Sequence, residues 1–180
     1  MEQHLEEKLL TLEKENASLK DIAEKYKRLV QNIPDVIYSL DHNGNLMEAN
    51  FPAIQFYGYN PDEIIGQHFL FFIHPEDHEV VINSLNLTIE TKREWSRGLE
   101  FRVYDKQGNI HWVEVNSHNH FDKNGNYTHE EGVIRNINDR KKTEEASREN
   151  ESDLMEEVWK RTVELESSYG KIESKISELT

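Results

Sequence analysis

Asp41-His42-Asn43-Gly44-Asn45 decides the fold, because the chain writes this stretch three times. The same Asp-x-x-Gly-Asn signal returns as Asp105-Lys106-Gln107-Gly108-Asn109 and as Asp122-Lys123-Asn124-Gly125-Asn126. An Asp side chain starts a type I turn by accepting from nearby backbone N–H groups. The Gly then takes the left-handed position that closes a hairpin with a bulge. Strand-like residues flank every copy, so the middle of the chain reads as hairpins of an antiparallel sheet. Two copies share the Asp-x-Asn-x-Asn spacing of a calcium loop. Their Gly is fourth rather than sixth and no Glu closes a loop at the twelfth place, so they read as turns.

Working outward, residues 36–40 and 45–50 are strands around the first turn. Short helices follow over 51–65, punctuated by Gly58, Pro61 and Gly66. Pro75 opens a longer helix, 75–91, with Val80, Val81, Ile82, Leu85 and Ile89 apolar. Three longer strands occupy about 97–105, 109–121 and 126–137. The order is two strands, several helices, then three strands, which is an α+β layout.

Helices frame this sheet region. Residues 1–34 place Leu5, Leu9, Leu12, Asn16, Leu19, Ala23, Tyr26, Val30 and Ile33 at alternating four- and three-residue steps, until Pro34 stops the helix. Asn16 is the one polar residue of that seam. A lone Asn at an a position pairs with its twin and favours a parallel, in-register dimer. The competing reading lays the helix on the sheet domain, which suits its last turn, Tyr26 to Ile33. Leu5, Leu9, Leu12, Asn16 and Leu19 are assigned to a homodimeric coil. Residues 139–180 return to helix with a seam of Met155, Val158, Thr162, Leu165, Tyr169, Ile172, Ile176 and Leu179. Upstream the frame passes through Lys141, Glu144, Arg148 and Glu151 and is weak. Gly170 costs that helix about 1 kcal/mol. The seam runs out mid-heptad, from which an output domain beyond it is expected. The expected organisation is a coiled-coil helix at 1–34, a globular domain at 35–138 and a second coil at 139–180.

Composition narrows the function. Net charge is -14 with no basic patch interleaved with aromatics, so nucleic acid and anionic membrane surfaces are excluded as partners. No apolar run approaches the roughly 20 residues that cross a bilayer. The charged start, Met1-Glu2-Gln3-His4, reads as no signal peptide. There is no Cys, hence no disulfide, thiolate metal site or Cys nucleophile. A cytoplasmic location is expected.

The layout resembles a PAS sensor domain of the bacterial signalling type, over about Tyr26 to Glu145. The resemblance rests on Asn50-x-x-Ala53, Gly58-Tyr59-x-x-x-Glu63-Ile64-Ile65-Gly66 and His74-Pro75-Glu76-Asp77. It continues in Leu99-Glu100-Phe101-Arg102, in Gly108 through Val115 and in Gly132 through Lys142. It implies a five-stranded antiparallel sheet, helices on one face and a small-molecule pocket between them. Where the family closes its last strand with Asp-Ile-Thr, this chain has Asn136-Ile137-Asn138. With Arg140, these residues form the expected signal junction, one that lacks the family's carboxylate. Lys160 to Glu166 looks like the connector that precedes a histidine kinase or diguanylate cyclase domain. The chain carries no phosphoacceptor helix, ATP-binding glycine boxes or cyclase loop, and no catalytic residue is assigned.

Alternation divides the long strand into two faces. Val113, Val115, Ser117 and Asn119 share one; Trp112, Glu114, Asn116, His118 and His120 share the other. The resemblance turns the first set toward the pocket, with Leu99, Phe101, Val103, Glu130, Gly132 and Ile134. Ile54, Phe69, Phe72, Ile82 and Leu85 join from the helices. Simple core filling is the alternative for the apolar members; Ser117, Asn119 and Glu130 need polar partners that a ligand or water could supply. His118 and His120, with His111 or His129, have the makings of a metal set. Solvent-facing histidines, or contact with the N-terminal helix of the dimer, account for them better, and no metal is expected. His74 and His78 have helical metal spacing, but Pro75 starts the helix between them. Against the haem-binding members, Ile82 stands where their His does, so haem is not expected. Without Cys, neither is a covalent flavin photoadduct.

Overall fold

The computed structural model describes residues 2–178; the side chains of 2–7, 51–53, 61 and 171–178, among them Leu5, Ile172 and Ile176, lie outside the described residues. The chain divides into two compact units, 1–137 and 138–180.

In the first unit, all three repeated turns form, with the same atoms each time. Asp41 Oδ1 accepts from the backbone of Asn43 at 2.9 Å and of Asn45 at 2.8 Å, and Oδ2 accepts from Asn45 Nδ2 at 3.0 Å. Asp105 and Asp122 repeat this with Gln107 and Asn109, and with Asn124 and Asn126. The glycines sit at φ 82°, 86° and 80°, where only Gly escapes strain. The strands they serve are β1 (Val36–Asp41), β2 (Leu46–Ala49), β3 (Trp95–Tyr104), β4 (Ile110–Phe121) and β5 (Tyr127–Asn136). They make one antiparallel sheet in the order β2-β1-β5-β4-β3.

Helices α1 (Glu2–Gln31), α2 (Phe51–Phe56), α3 (Pro61–Ile64) and α4 (His78–Thr91) complete this unit. The helix expected from Pro75 starts three residues later, behind a 3-10 turn, Pro75–Asp77. Asp77, the residue before α4, makes no side-chain capping bond, because Arg102 holds its carboxylate. The Asp77 carboxylate accepts from Arg102 N, Nε and Nη2 at 2.7, 2.9 and 2.7 Å. This pulls the His74-Pro75-Glu76-Asp77 turn onto β3. The core lies between the sheet and helices α2 to α4, around Tyr38, Ile54, Ile64, Ile73, Val81, Phe101 and Val113.

Asn50 fastens α1 to the sheet. Its Oδ1 accepts from Ile37 N at 2.7 Å, and its Nδ2 reaches the carbonyls of Asp35, Val30 and Ile33 at 3.0, 3.3 and 3.4 Å. Tyr26, expected to lie on the sheet domain, is 64% exposed. The last turn of α1 is held through carbonyls and not through that ring. Leu9, Leu12 and Leu19 form an exposed apolar stripe along α1.

The second unit is one helix, α5 (Asn138–Glu178). Arg140 pairs with Glu144 at 3.6 Å, and Lys160 with Glu156 at 2.7 Å, one turn apart. Met155, Val158, Leu165 and Tyr169 are exposed on it. Among the described residues, no helix is long and apolar enough to cross a membrane.

Candidate functional site: a cavity between sheet and helices

A cavity of about 410 Å³ lies between the inner face of the sheet and the short helices. Alternation builds its floor. On β1, Val36, Tyr38 and Leu40 point in; they pair with Ile134, Gly132 and Glu130 of β5. Val115 and Ser117 come from β4, and Leu99, Phe101 and Val103 from β3. The roof is Ile54, Phe69, Phe72, Ile82 and Leu85, with Tyr57, Tyr59, Ile64 and Val81. Ile82 is 37% exposed, so it touches both cavity and solvent.

Most of the wall is apolar. On the floor, polar groups gather at Glu130. Its carboxylate accepts from the Tyr38 hydroxyl and is also hydrogen-bonded to Ser117. Burial raises the Glu130 pKa above the ordinary carboxylate range; the two hydroxyl bonds oppose this and are outweighed. Burial, then the neighbouring Glu130 charge, drives the Tyr38 phenol well up. Tyr127 beside them is raised for the same two reasons. Near neutral pH both phenols are therefore donors, placed around a carboxyl that holds its proton longer than usual.

Three expected lining residues are elsewhere, and one of them, Gly132, is covered by the Tyr38 ring. Val113 is wholly buried but sits between Phe101 and Asn136 in the sheet, outside the cavity wall. Asn119 is also buried; its backbone N donates to Glu94 O at 2.7 Å and its Nδ2 to Ser96 Oγ at 3.2 Å. The reason is length. β4 has 12 residues, and only its middle, Val115 and Ser117, underlies the cavity. Asn119 Oδ1 is left buried without a hydrogen bond.

Sequence reasoning missed Tyr38, Tyr127, Ser96 and Thr88 in the wall. Ser96 enters because β3 bulges between Ser96 and Leu99, which turns two non-alternating residues inward. Gly98, at φ 69° with its N donating to Asn116 Oδ1, was the available signal. Ser96 Oγ and Thr88 Oγ1 then join at 3.1 Å, linking β3 to α4.

At the junction, Ile137 is buried and its N donates to Trp112 O at 2.9 Å. The Asn136 side chain bonds the Tyr57 hydroxyl, so one cavity residue is tied to the end of β5. The histidines separate. His111 shares the inner face and its Nε2 lies 3.0 Å from Asp105 Oδ2, so it cannot join the outer-face set. His78 Nε2 is spent on Ile73 O at 3.0 Å and is no partner for His74. His118, His120 and His129 do come together, on the outer face.

A family model described as the PAS fold matches residues 24–137, and the chain belongs to that family. The PAS fold is a sensory and regulatory one. Sporulation kinase C of Bacillus subtilis is 24% identical over 152 residues, covering 84% of this chain and 35% of the kinase. An uncharacterised protein, y4lL, of Sinorhizobium fredii is 26% identical over 144 residues, 76% of this chain and 16% of that protein. The chain thus spans about a third or less of these relatives. Among solved structures, a PAS domain from Colwellia psychrerythraea superposes with TM-score 0.55 at 24% identity, covering 64% of this chain and 97% of that one. A sensory box histidine kinase/response regulator from Burkholderia thailandensis gives 0.58 at 21%, covering 72% and 97%. These likenesses carry the fold.

Proposed function

We propose that this chain is the sensing and relay segment of a bacterial, cytoplasmic signalling protein, in which a small molecule in the sheet–helix cavity biases a two-state equilibrium. The observation that carries this reading is the cavity itself: about 410 Å³, apolar, with Tyr38, Ser117 and Glu130 converging on one wall. The likeness to sporulation kinase C supports a histidine kinase as the C-terminal effector. The segment has no catalytic residue of its own and acts as a parallel homodimer, joined along Leu9, Leu12, Asn16 and Leu19 and again along the α5 seam through Leu165. Asn50 at the α1 end, and Asn136, Ile137, Asn138 and Arg140 at the other, pass the change on. Neither haem nor a flavin adduct is involved.

Gentle purification followed by native and then denaturing mass spectrometry tests the sensor reading. A released small molecule, or stabilisation by one in a thermal-shift screen, is expected. Spin labels on the C-terminal helix should then report different interchain distances with and without it. An empty dimer that no compound stabilises would replace the sensor with a constitutive dimerisation scaffold or protein-docking module, a reading that the exposed stripe of α1 favours.

A further inference from the structure

The outer face of the sheet carries a cluster that the cavity does not use. His120 of β4 and His129 of β5 are direct cross-strand partners, and Glu131 lies two residues beyond His129 on the same face. One ligating atom from each falls within 4.8 Å of the other two. The two imidazoles stack at 4.1 Å and 3°, and His118 and Trp95 extend the row at 4.3 Å steps.

Hydrogen bonding fixes the tautomer of one ring. Thr128 Oγ1 donates its single proton to His120 O at 3.0 Å, because a carbonyl can only accept. The same oxygen lies 3.0 Å from His129 Nδ1. With its proton committed, it accepts there, so His129 carries its proton on Nδ1. Its Nε2 then holds a free lone pair, the arrangement in which an outer partner orients a metal-binding imidazole. His120 supplies a second nitrogen. Its Nε2 is shut off from solvent without a hydrogen bond, 3.5 Å from Glu131 Oε2. A shielded nitrogen with no donor or acceptor is costly unless something fills the gap. Glu131 is 60% exposed in its side chain and free to swing toward a cation.

We infer that His120, His129 and Glu131 form a site for a divalent transition-metal cation of the borderline class, with Thr128 as the residue that positions His129. Two imidazoles and a carboxylate suit Zn²⁺ and Ni²⁺ better than Mg²⁺ or Ca²⁺, which prefer oxygen. Binding tilts the stacked rings so that both nitrogens meet the ion. The remaining positions stay open to water or to a donor from another molecule. The site stands apart from the cavity and does not depend on the sensor reading.

The test is a calorimetric titration of the tag-free, EDTA-stripped chain with Zn²⁺ and with Ni²⁺. One ion per chain is expected. His120→Ala and His129→Ala should each weaken binding at least about tenfold, and Thr128→Val by a similar factor through His129 alone. His118→Ala should leave affinity within about twofold, since His118 lies outside the ligand set. Circular dichroism checks that each variant folds. A readout on the unaltered chain stands beside the variants: long-range proton–nitrogen spectra should place the His129 proton on Nδ1 and shift the His120 and His129 resonances on zinc addition. No saturable uptake, uptake undiminished in His129→Ala, or shifts spread evenly over all histidines would overturn the site.

Discussion

Gly132 leaves room for one thing, the ring of Tyr38. A Cβ at that position would lie 2.7 Å from Cε1, Cζ and Oη of the tyrosine. Its absence lets the phenol cross β5 and reach Glu130. Gly132→Ala should therefore push the ring aside and cost about 1–3 kcal/mol in urea unfolding. Two carboxyls, at separate places in the first unit, should give opposite pH signatures. Glu130 has a raised pKa, so the folded chain keeps a proton that the unfolded chain releases. Its stabilising contribution is full below the ordinary 4.5 and is lost as pH rises through the raised value. Asp105 is pulled down to about 2, first by the His111 hydrogen bond. Its contribution is present above the ordinary 3.8 and is lost as pH falls through about 2. Urea midpoints measured across the acid and neutral range should show Glu130→Gln abolishing the first loss and Asp105→Asn the second.

Elements differ in how openly the sequence announces them. The three Asp-x-x-Gly-Asn turns were legible because every bond in them spans four residues or fewer. Alternation divided β4 into two faces and the family resemblance turned one of them inward, while the strands followed from the turns between them. The hold on the turn before α4 was not legible, because the residue that grips Asp77, Arg102, is 25 positions away. Ser96 was hidden by a bulge that breaks the period of two. Asn50 stood in a recognised motif, yet its task depends on carbonyls 15 to 20 residues upstream. Asn50→Ala strips Ile37 N of its acceptor and three carbonyls of their donor. It should cost about 1–3 kcal/mol. Amide exchange should quicken in the last turn of α1 and at Ile37 more than in β4, which separates a lost clasp from general loosening.

At the scale of the whole molecule, the exposed leucines of α1 are apolar surface left uncovered in the single chain. Leu9, Leu12 and Leu19 are 60%, 55% and 64% exposed in the single chain. On the dimer proposed above, replacing Leu12 and Leu19 together by Glu should shift sedimentation toward the monomer at concentrations where the unaltered chain stays dimeric, while the sheet domain keeps its cooperative thermal transition. A dimer of undiminished affinity would move the contact away from this stripe. The folded molecule also governs its own chemical ageing. Asn43-Gly44 and Asn124-Gly125 are sequences in which a glycine amide readily attacks the preceding side-chain carbonyl, ending in deamidation. In the turns, those amides are occupied: Gly44 N donates to Asp41 O at 3.0 Å and Gly125 N to Asp122 O at 2.9 Å. The hydrogen bonds that shape the hairpins thus also withhold the nucleophile, so deamidation at these tips becomes a clock that runs only while the hairpins are open.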